Sequence, residues 1–347
     1  MSGMAELSVV VPLKWRDDRG LGELTGYLET LTRRVHEVIV VDGSAEDLFR
    51  THARLWTKSG IRHLAPEDSC ANGKVAGVRT GVRAAVGNKV VIADDDVRYE
   101  AGTLEAMSRL LERAHLVRPQ NHFDPLPWHA VWDTGRTLLN RSLGQDHPGT
   151  FGVRRDALLH LGGYDGNTLF ENLELSRTIR AGGGVEACAS GLYVRRIPPS
   201  AARFWSQRPR QAYDDTAQPA RLMLFLGLAP LLCVAVVRAP ALLPASAGAV
   251  VLLAEAGRRR AGGTRVFPAR ASFTAPLWVL ERALLVWPAF AAWLSGVGVA
   301  YAGSRIAVAA HSPRLLRRRL RSRPVLGVPG GAESDALMGS VAERADR

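Results

Sequence analysis

The chain has 347 residues, 47% of them hydrophobic, which is enough for a substantial core and excludes disorder of the whole. Its net charge of +12 suggests nucleic acid only until it is divided along the chain: residues 1–216 carry 28 Lys or Arg against 27 Asp or Glu, whereas residues 217–323 carry 15 Arg against Glu255 and Glu281 alone. The basic excess therefore flanks apolar segments, as in a membrane protein with cytoplasmic flanks, and nucleic acid is not an expected partner.

In chain order, the first fifteen residues show no basic leader, so the N-terminal half is expected to stay in the cytoplasm. "ELSVVVPL" (Glu6–Leu13) and "HEVIVVDGS" (His36–Ser44) are β-branched runs that end in Pro or Asp-Gly, the pattern of buried parallel strands. Between them Leu21, Leu24, Leu28 and Leu31 have helical spacing. A strand near Ile61–Leu64, a helix over Lys74–Val86, a strand Lys89–Ala93 and a helix Gly102–Arg113 follow. This alternation predicts an α/β fold with a doubly wound, mostly parallel, Rossmann-like sheet. Ligands of such sheets bind beyond the carboxyl ends of the strands, where Asp42 and Asp94–Asp96 both fall.

Composition shifts near residue 217. "RLMLFLGLAPLLCVAVV" (Arg221–Val237) and "ALLPASAGAVVLLAEAG" (Ala241–Gly257) read as two short membrane spans joined by a tight turn. A third stretch, Phe273–Gly303, is apolar but contains Glu281, Arg282 and Pro288, and reads as an interfacial helix, alone or followed by a span. The expected units are 1–216, a catalytic domain; 217–310, membrane-associated helices; and 311–347, a basic mobile tail whose "SPRLLRRRLRSR" suits anionic headgroups. Cys70, Cys188 and Cys233, odd in number and far apart, give neither a disulfide framework nor a zinc site.

The polar clusters carry the chemistry. Asp94 and Asp96 at a strand end suit Mg²⁺ or Mn²⁺, which take one or two protein oxygens and complete their shell with phosphate and water. Asp42 can accept hydrogen bonds from a base or ribose. Asn72, Gly73 and Lys74 open a helix, where backbone amides and an ammonium can meet phosphate. Taken in order, "SVVVP", "VIVVDGS", "NGKVAGVRTGVRAAVGNKVVIADDDV" and "LGGYDGNTLFENLELSRTIRAGG" resemble a membrane-associated family 2 glycosyltransferase of the GT-A fold, over about Glu6–Tyr213.

The resemblance implies an inverting transfer from a nucleotide-sugar donor. It implies donor contacts at Pro12, Asp42, Gly43, Lys74, Asp94 and Asp95, and a metal on Asp94 and Asp96. The family's base aspartate corresponds to Asn172, an amide that takes no proton, so the base is expected at Glu171 or Glu174, three apart and on one helix face. "QRPRQ" resembles the Gln-x-x-Arg-Trp motif, with Gln207 and Arg210 matching and Gln211 in place of Trp. Gly149 and Thr150 lie where the family has a small-residue segment under the acceptor, and Trp128, His129, Trp132 and His147 are further acceptor candidates. The adjacency of Gln207 and Arg210 to the first apolar run suggests a lipid or lipid-linked acceptor at the cytoplasmic membrane face. Asn172 and the lost Trp leave a catalytically reduced sugar-nucleotide-binding subunit as the alternative, and a nucleotidyltransferase as a third reading.

Overall fold

The structure, a computed structural model, describes residues 6–144, 146–327 and 329. Strands β1 (Leu7–Leu13), β2 (Glu37–Asp42), β3 (Arg62–Leu64) and β4 (Lys89–Ala93) alternate with helices α1 (Leu21–Thr32), α2 (Glu46–Trp56) and α3 (Gly73–Ala84). After them come β5 (Val97–Arg98), α4 (Ala101–Leu110), β6 (Leu116–Phe123), α5 (Trp128–Leu143), β7 (Thr150–Arg154), α6 (Arg155–His160), α7 (Glu171–Ala181) and β8 (Glu186–Arg196). These eight strands form one sheet in the order β3-β2-β1-β4-β7-β6-β8-β5. The pairs β3–β2, β2–β1, β1–β4 and β6–β8 are parallel, and β7 and β5 join antiparallel. The expected α/β class thus stands, with a parallel N-terminal half and a mixed remainder.

Alternation along β1 explains the layering. Leu7, Val9, Val11 and Leu13 point to one face, where they meet Leu24 and Leu28 of α1 and Leu104 and Met107 of α4. Val10 points to the other face, among Val75, Val78 and Val82 of α3 and Ile179 of α7. α3 lies close enough to β1 that a Cβ on Gly81 would collide with Val10, and this proximity sets where Lys74 projects.

The remaining chain forms α8 (Ala201–Tyr213), α9 (Pro219–Arg238), α10 (Leu242–Arg259), the short α11 (Arg270–Phe273), α12 (Ala275–Leu294), a hairpin of β9 (Val299–Tyr301) and β10 (Ser304–Ile306), and α13 (Pro313–Arg319). These elements share cores with the sheet domain. Leu138 and Leu139 of α5 pack with Phe225 of α9, Ala254 of α10 and Trp278 of α12. Leu173 of α7 packs with Tyr213 of α8, Ala289 of α12 and Ile306 of β10. α10 approaches α5 so closely that a Cβ on Gly257 would strike the Leu138 carbonyl.

Two helices among the described residues are long and apolar enough to cross a membrane, Pro219–Arg238, of mean hydropathy 2.3, and Arg270–Leu294, of mean hydropathy 1.4. The second expected span, Ala241–Gly257, forms most of α10, but that helix is not one of the two, because it carries Glu255, Arg258 and Arg259 in its last turns. The hairpin β9–β10 replaces the apolar run expected to continue to Gly303. The start of the expected tail is docked: Leu316 is buried, Leu320 and Leu326 pack against the α3–α7 face, and Arg319 pairs with Asp165 at 3.0 Å. The expected tail residues beyond it, 328 and 330–347, lie outside the described residues.

Candidate active site

The expected donor end is built from strand termini. β2 delivers Asp42, 1% exposed, whose Oδ1 accepts from the Ser44 backbone N–H at 2.8 Å and whose Oδ2 meets His52 Nδ1 at 2.5 Å and His63 Nε2 at 3.1 Å. Burial alone would raise this carboxyl, but hydrogen bonds from His63, His52 and Ser44 outweigh it and hold the pKa at about 2. His52 also reaches Asp18 through Nε2 at 2.9 Å, so Asp42 is the centre of a closed network that sequence reading did not foresee. Trp15 bridges the strand ends, its backbone N–H donating to Ser44 Oγ at 2.8 Å and its Nε1–H to Asp95. Gly43 N–H donates to the Leu13 carbonyl at 2.8 Å, and Pro12 is buried in β1 opposite Val41.

β4 delivers Asp94 and Asp96. Asn72 caps α3 by accepting from Lys74 N–H at 3.2 Å, and the Lys74 ammonium then lies 2.6 Å from Asp94 and 2.8 Å from Glu171. Burial pulls the Lys74 pKa down, but Asp94 and Glu171 raise it further, so it stays an ammonium. On the other side the Arg196 guanidinium, from the end of β8, meets Asp94 at 3.3 Å and Asp96 at 2.9 Å. Burial, reinforced by Asp94 and Asp95, pushes Asp96 up to about 6 despite Arg196.

The two carboxylates thus converge on one cationic position, the arrangement that fits a divalent ion with oxygen ligands once Arg196 turns toward an incoming anion. Gly149 makes room for this: its carbonyl accepts from Asp94 N–H at 2.9 Å, and a Cβ there would collide with Asp94 Oδ2. Its place beside Asp94 is therefore a packing requirement of the carboxylate. Thr150, fully buried, donates to the Ile92 carbonyl and bonds the Tyr99 hydroxyl, so it faces the sheet and not an acceptor.

The expected acceptor end comes from α7, α8 and the returning chain. Glu171 opens α7 and joins the Lys74–Asp94 cluster. Glu174 does not: it is fully buried and accepts from the His311 backbone N–H at 2.7 Å and bonds His311 Nδ1 at 2.9 Å. Three residues on an α-helix turn through about 300°, and here that separation sends the two glutamates to different surroundings. Asn172 Nδ2 donates to the Pro148 carbonyl at 2.9 Å, a bond that an ionised aspartate cannot make, so the amide secures the loop before Gly149.

On α8, Arg210 lies over the Tyr301 ring at 5.1 Å and Gln207 is half-buried. The locked residue of the motif is Arg208, 1% exposed, which donates to Asp133 at 2.8 Å and to Glu281 of α12. Tyr301, Arg196 and Asp214 belong to the site and were not singled out from sequence. The Ala302-Gly303 turn inside "VAYAGSRI" was the signal for the hairpin that carries Tyr301, since a small residue followed by Gly between β-compatible residues marks a tight turn. Burial, with Glu171 nearby, pushes Tyr301 up to about 12 against Arg210.

Of the acceptor candidates, His129 bonds the Pro199 carbonyl and Trp132 Nε1–H donates to Glu281 at 2.8 Å, so both are structural. His147, driven by burial and Arg118 to about 3, is neutral and packs edge-on against Phe170. Trp128, 57% exposed, clusters with Trp205 beside the apolar helices.

No protein-family model and no curated protein sequence matches the chain. Among solved structures it is similar to the mannosyltransferase PcManGT from Pyrobaculum calidifontis in complex with GDP-Man and Mn²⁺. Identity is 18%, over 81% of this chain and 87% of that one, with a TM-score of 0.49. The mannosyl-3-phosphoglycerate synthase from Rubrobacter xylanophilus gives 16% identity over 59% and 70% of the two chains, with a TM-score of 0.41. The glucosyl-3-phosphoglycerate synthase from Mycobacterium tuberculosis, in complex with Mn²⁺, UDP and phosphoglyceric acid, gives 19% over 61% and 78%, with a TM-score of 0.41. None of these scores reaches 0.5, and none decides what this chain does.

Proposed function

We propose that the protein is a membrane-associated inverting glycosyltransferase that moves a sugar from a nucleotide-sugar donor to a hydroxyl of a lipid or lipid-linked acceptor at the cytoplasmic face. The observation that carries this reading is the convergence of Asp94 and Asp96 on one cationic position, with Lys74 between Asp94 and Glu171. Asp94 and Asp96 would hold Mg²⁺ or Mn²⁺, which neutralises a diphosphate leaving group. Trp15 and Asp95 form the wall against which the nucleoside is oriented, and the closed Asp42 network backs it. Arg196 and Arg210 supply donors for diphosphate oxygens, the forked contact that guanidinium groups make best. A carboxylate on the acceptor side takes the hydroxyl proton as the oxygen attacks the anomeric carbon from the face opposite the departing diphosphate. Of Glu171 and Glu174, Glu171 alone joins the cluster.

The membrane reading rests on side-chain placement. Leu277, Leu280, Leu284 and Trp287 of α12 are exposed, whereas Glu281 and Arg282 point inward to Arg208 and Asp215. A helix with one apolar exposed stripe and its charges tied to the protein suits a position in the plane of the interface. Met223, Leu231, Val234 and Val237 are exposed along α9, the last three nearing the α9–α10 turn, and suit entry into the hydrocarbon.

The test is nucleoside-diphosphate release by protein in lipid nanodiscs, with UDP-, GDP- and dTDP-sugars, Mg²⁺ or Mn²⁺, and total membrane lipid as acceptor. Metal-dependent release that collapses in Asp96→Asn is the expected result. Donor binding without release in any combination would overturn it in favour of the binding subunit.

A further inference from the structure

We propose that Asp214, at the C-terminal cap of α8, is the general base that accepts the proton of the acceptor hydroxyl. The assignment rests on the transferase reading above and names the residue that fills the role vacated at Asn172.

The argument starts from what surrounds Asp214 in the chain. Tyr213 is buried and its hydroxyl donates to the Ala307 carbonyl at 2.6 Å. Asp215, 2% exposed, is held by Arg221 at 2.7 Å and Arg282 at 3.4 Å. Ala217 accepts from Arg177 of α7 at 2.9 Å, which pins this turn to the helix that Glu171 opens. Every neighbour is thus fixed by a partner. Asp214 is not: its Oδ1 is sealed from solvent and has no hydrogen-bond partner. A carboxylate oxygen sealed without a partner is costly to fold, and at a half-buried residue whose turn is pinned to the helix that Glu171 opens, the cost marks a group kept for chemistry.

The groups that act on it are those of the site. Arg210, one helical turn earlier on α8, draws its pKa down; Glu171 from α7 and the adjoining Asp215 push it up; Arg282 from α12 draws it down. Burial is the largest influence and the balance lies near 7, where a base exchanges protons most effectively at neutral pH. Glu171 is differently placed, because its Oε1 is already engaged by the Lys74 ammonium at 2.8 Å. It is a positioning residue that holds Lys74 against Asp94.

In the step, the acceptor O–H bond breaks and its proton passes to the Asp214 carboxylate. The oxygen forms a bond to the anomeric carbon, and the bond from that carbon to the diphosphate breaks with its electron pair leaving on the diphosphate. Asp214 then releases the proton to water, and no other reactant is needed.

The experiment measures turnover against pH at saturating donor, and donor binding with Mn²⁺ by calorimetry, in Asp214→Asn, Asp214→Glu and Glu171→Gln. Asp214→Asn is expected to lose about 10²–10⁴-fold in turnover, to bind donor like wild type, and to lose the acidic limb that wild type shows near pH 7. Asp214→Glu, which keeps a carboxylate, is expected to retain the limb at a reduced rate and so guards against a fold defect in the amide variant. Glu171→Gln is expected to weaken donor binding and keep the limb. Turnover unchanged in Asp214→Asn, or a limb that disappears in Glu171→Gln and persists in Asp214→Asn, would overturn the assignment alone. Wild type that binds donor and never turns over would overturn the transferase reading and this assignment with it.

Discussion

The proposed donor and acceptor ends of this cleft are made in different ways. The donor end comes from β1, β2 and β4, where consecutive parallel strands bring Trp15, Asp42 and Asp94 to one edge, and its side chains are closed on one another by hydrogen bonds of 2.5–3.1 Å. The acceptor end comes from α7, α8, the β9–β10 hairpin and the segment 307–312 after it, elements that lie on both sides of the apolar helices in sequence. There, side chains include a carboxylate with one oxygen unpartnered, an arginine over a tyrosine, and an amide where the family resemblance leads one to expect an acid. The difference teaches that the strand-end half follows from the fold, whereas the other half is assembled by the docked C-terminal region and takes its chemistry from that docking.

That contrast can be broken or sharpened by measurement. The largest effect is expected at the shared centre: Asp94→Asn or Asp96→Asn should lower metal-dependent nucleoside-diphosphate release by about 10³-fold or more, and unaltered release would detach both aspartates from catalysis. Gly149→Ala forces the Asp94 carboxylate aside and should cost roughly 10²-fold, the scale of an ångström of misplacement, with little loss of melting temperature. His311→Ala takes the imidazole from the buried Glu174 and leaves it only the backbone N–H, which should destabilise by about 1–3 kcal/mol while the purified protein still binds nucleotide. A wild-type melting temperature would show that the returning chain does not brace the acceptor end.

Two smaller effects concern pH. Asp214 has a folded pKa raised from 3.8 to about 7, so its contribution to stability is present below 3.8 and is lost as pH rises through 7. Asp214→Asn should therefore melt higher than wild type at pH 8, by an amount on the order of 1–3 kcal/mol, and the two proteins should converge near pH 4. Asp42 is the opposite case. Its folded pKa is depressed to about 2, so its stabilisation is present above 3.8 and fades as pH falls through 2. Asp42→Asn should remove that acid-side dependence, and a melting profile identical to wild type between pH 4 and pH 2 would count against the His52–Asp42–His63 network.

The parallel half was legible because its signals are local. Lys89–Ala93 is a β-branched run that can only be a strand, and Asp42 and Asp94 sit where such runs stop. Leu21, Leu24, Leu28 and Leu31 all turn out to be buried on α1. The acceptor half was less legible because its determinants are pairings across long sequence separations. Glu174 and Glu171 carry the same local signal, and only distant partners distinguish them, His311, 137 residues away, for Glu174 and Lys74 for Glu171. Arg208 looked less informative than Gln207 and Arg210, yet Asp133 and Glu281 make it the residue that fixes α8. Glu281 and Arg282 made the third apolar stretch ambiguous for the same reason, since their partners lie on α5, α8 and the turn after it.

The hairpin β9–β10 has a consequence for synthesis. Tyr301 reaches Arg210, and His311 reaches Glu174, only after α9, α10 and α12 have left the ribosome. A nascent chain that has completed its eight-stranded sheet therefore holds a formed donor end beside an acceptor end still missing its last wall. Because the apolar helices emerge in the interval, they are free to dock before the residues of the final closure exist. On the proposed function, the order of the polypeptide gives the membrane surface its first contact with the chain before the acceptor wall is complete.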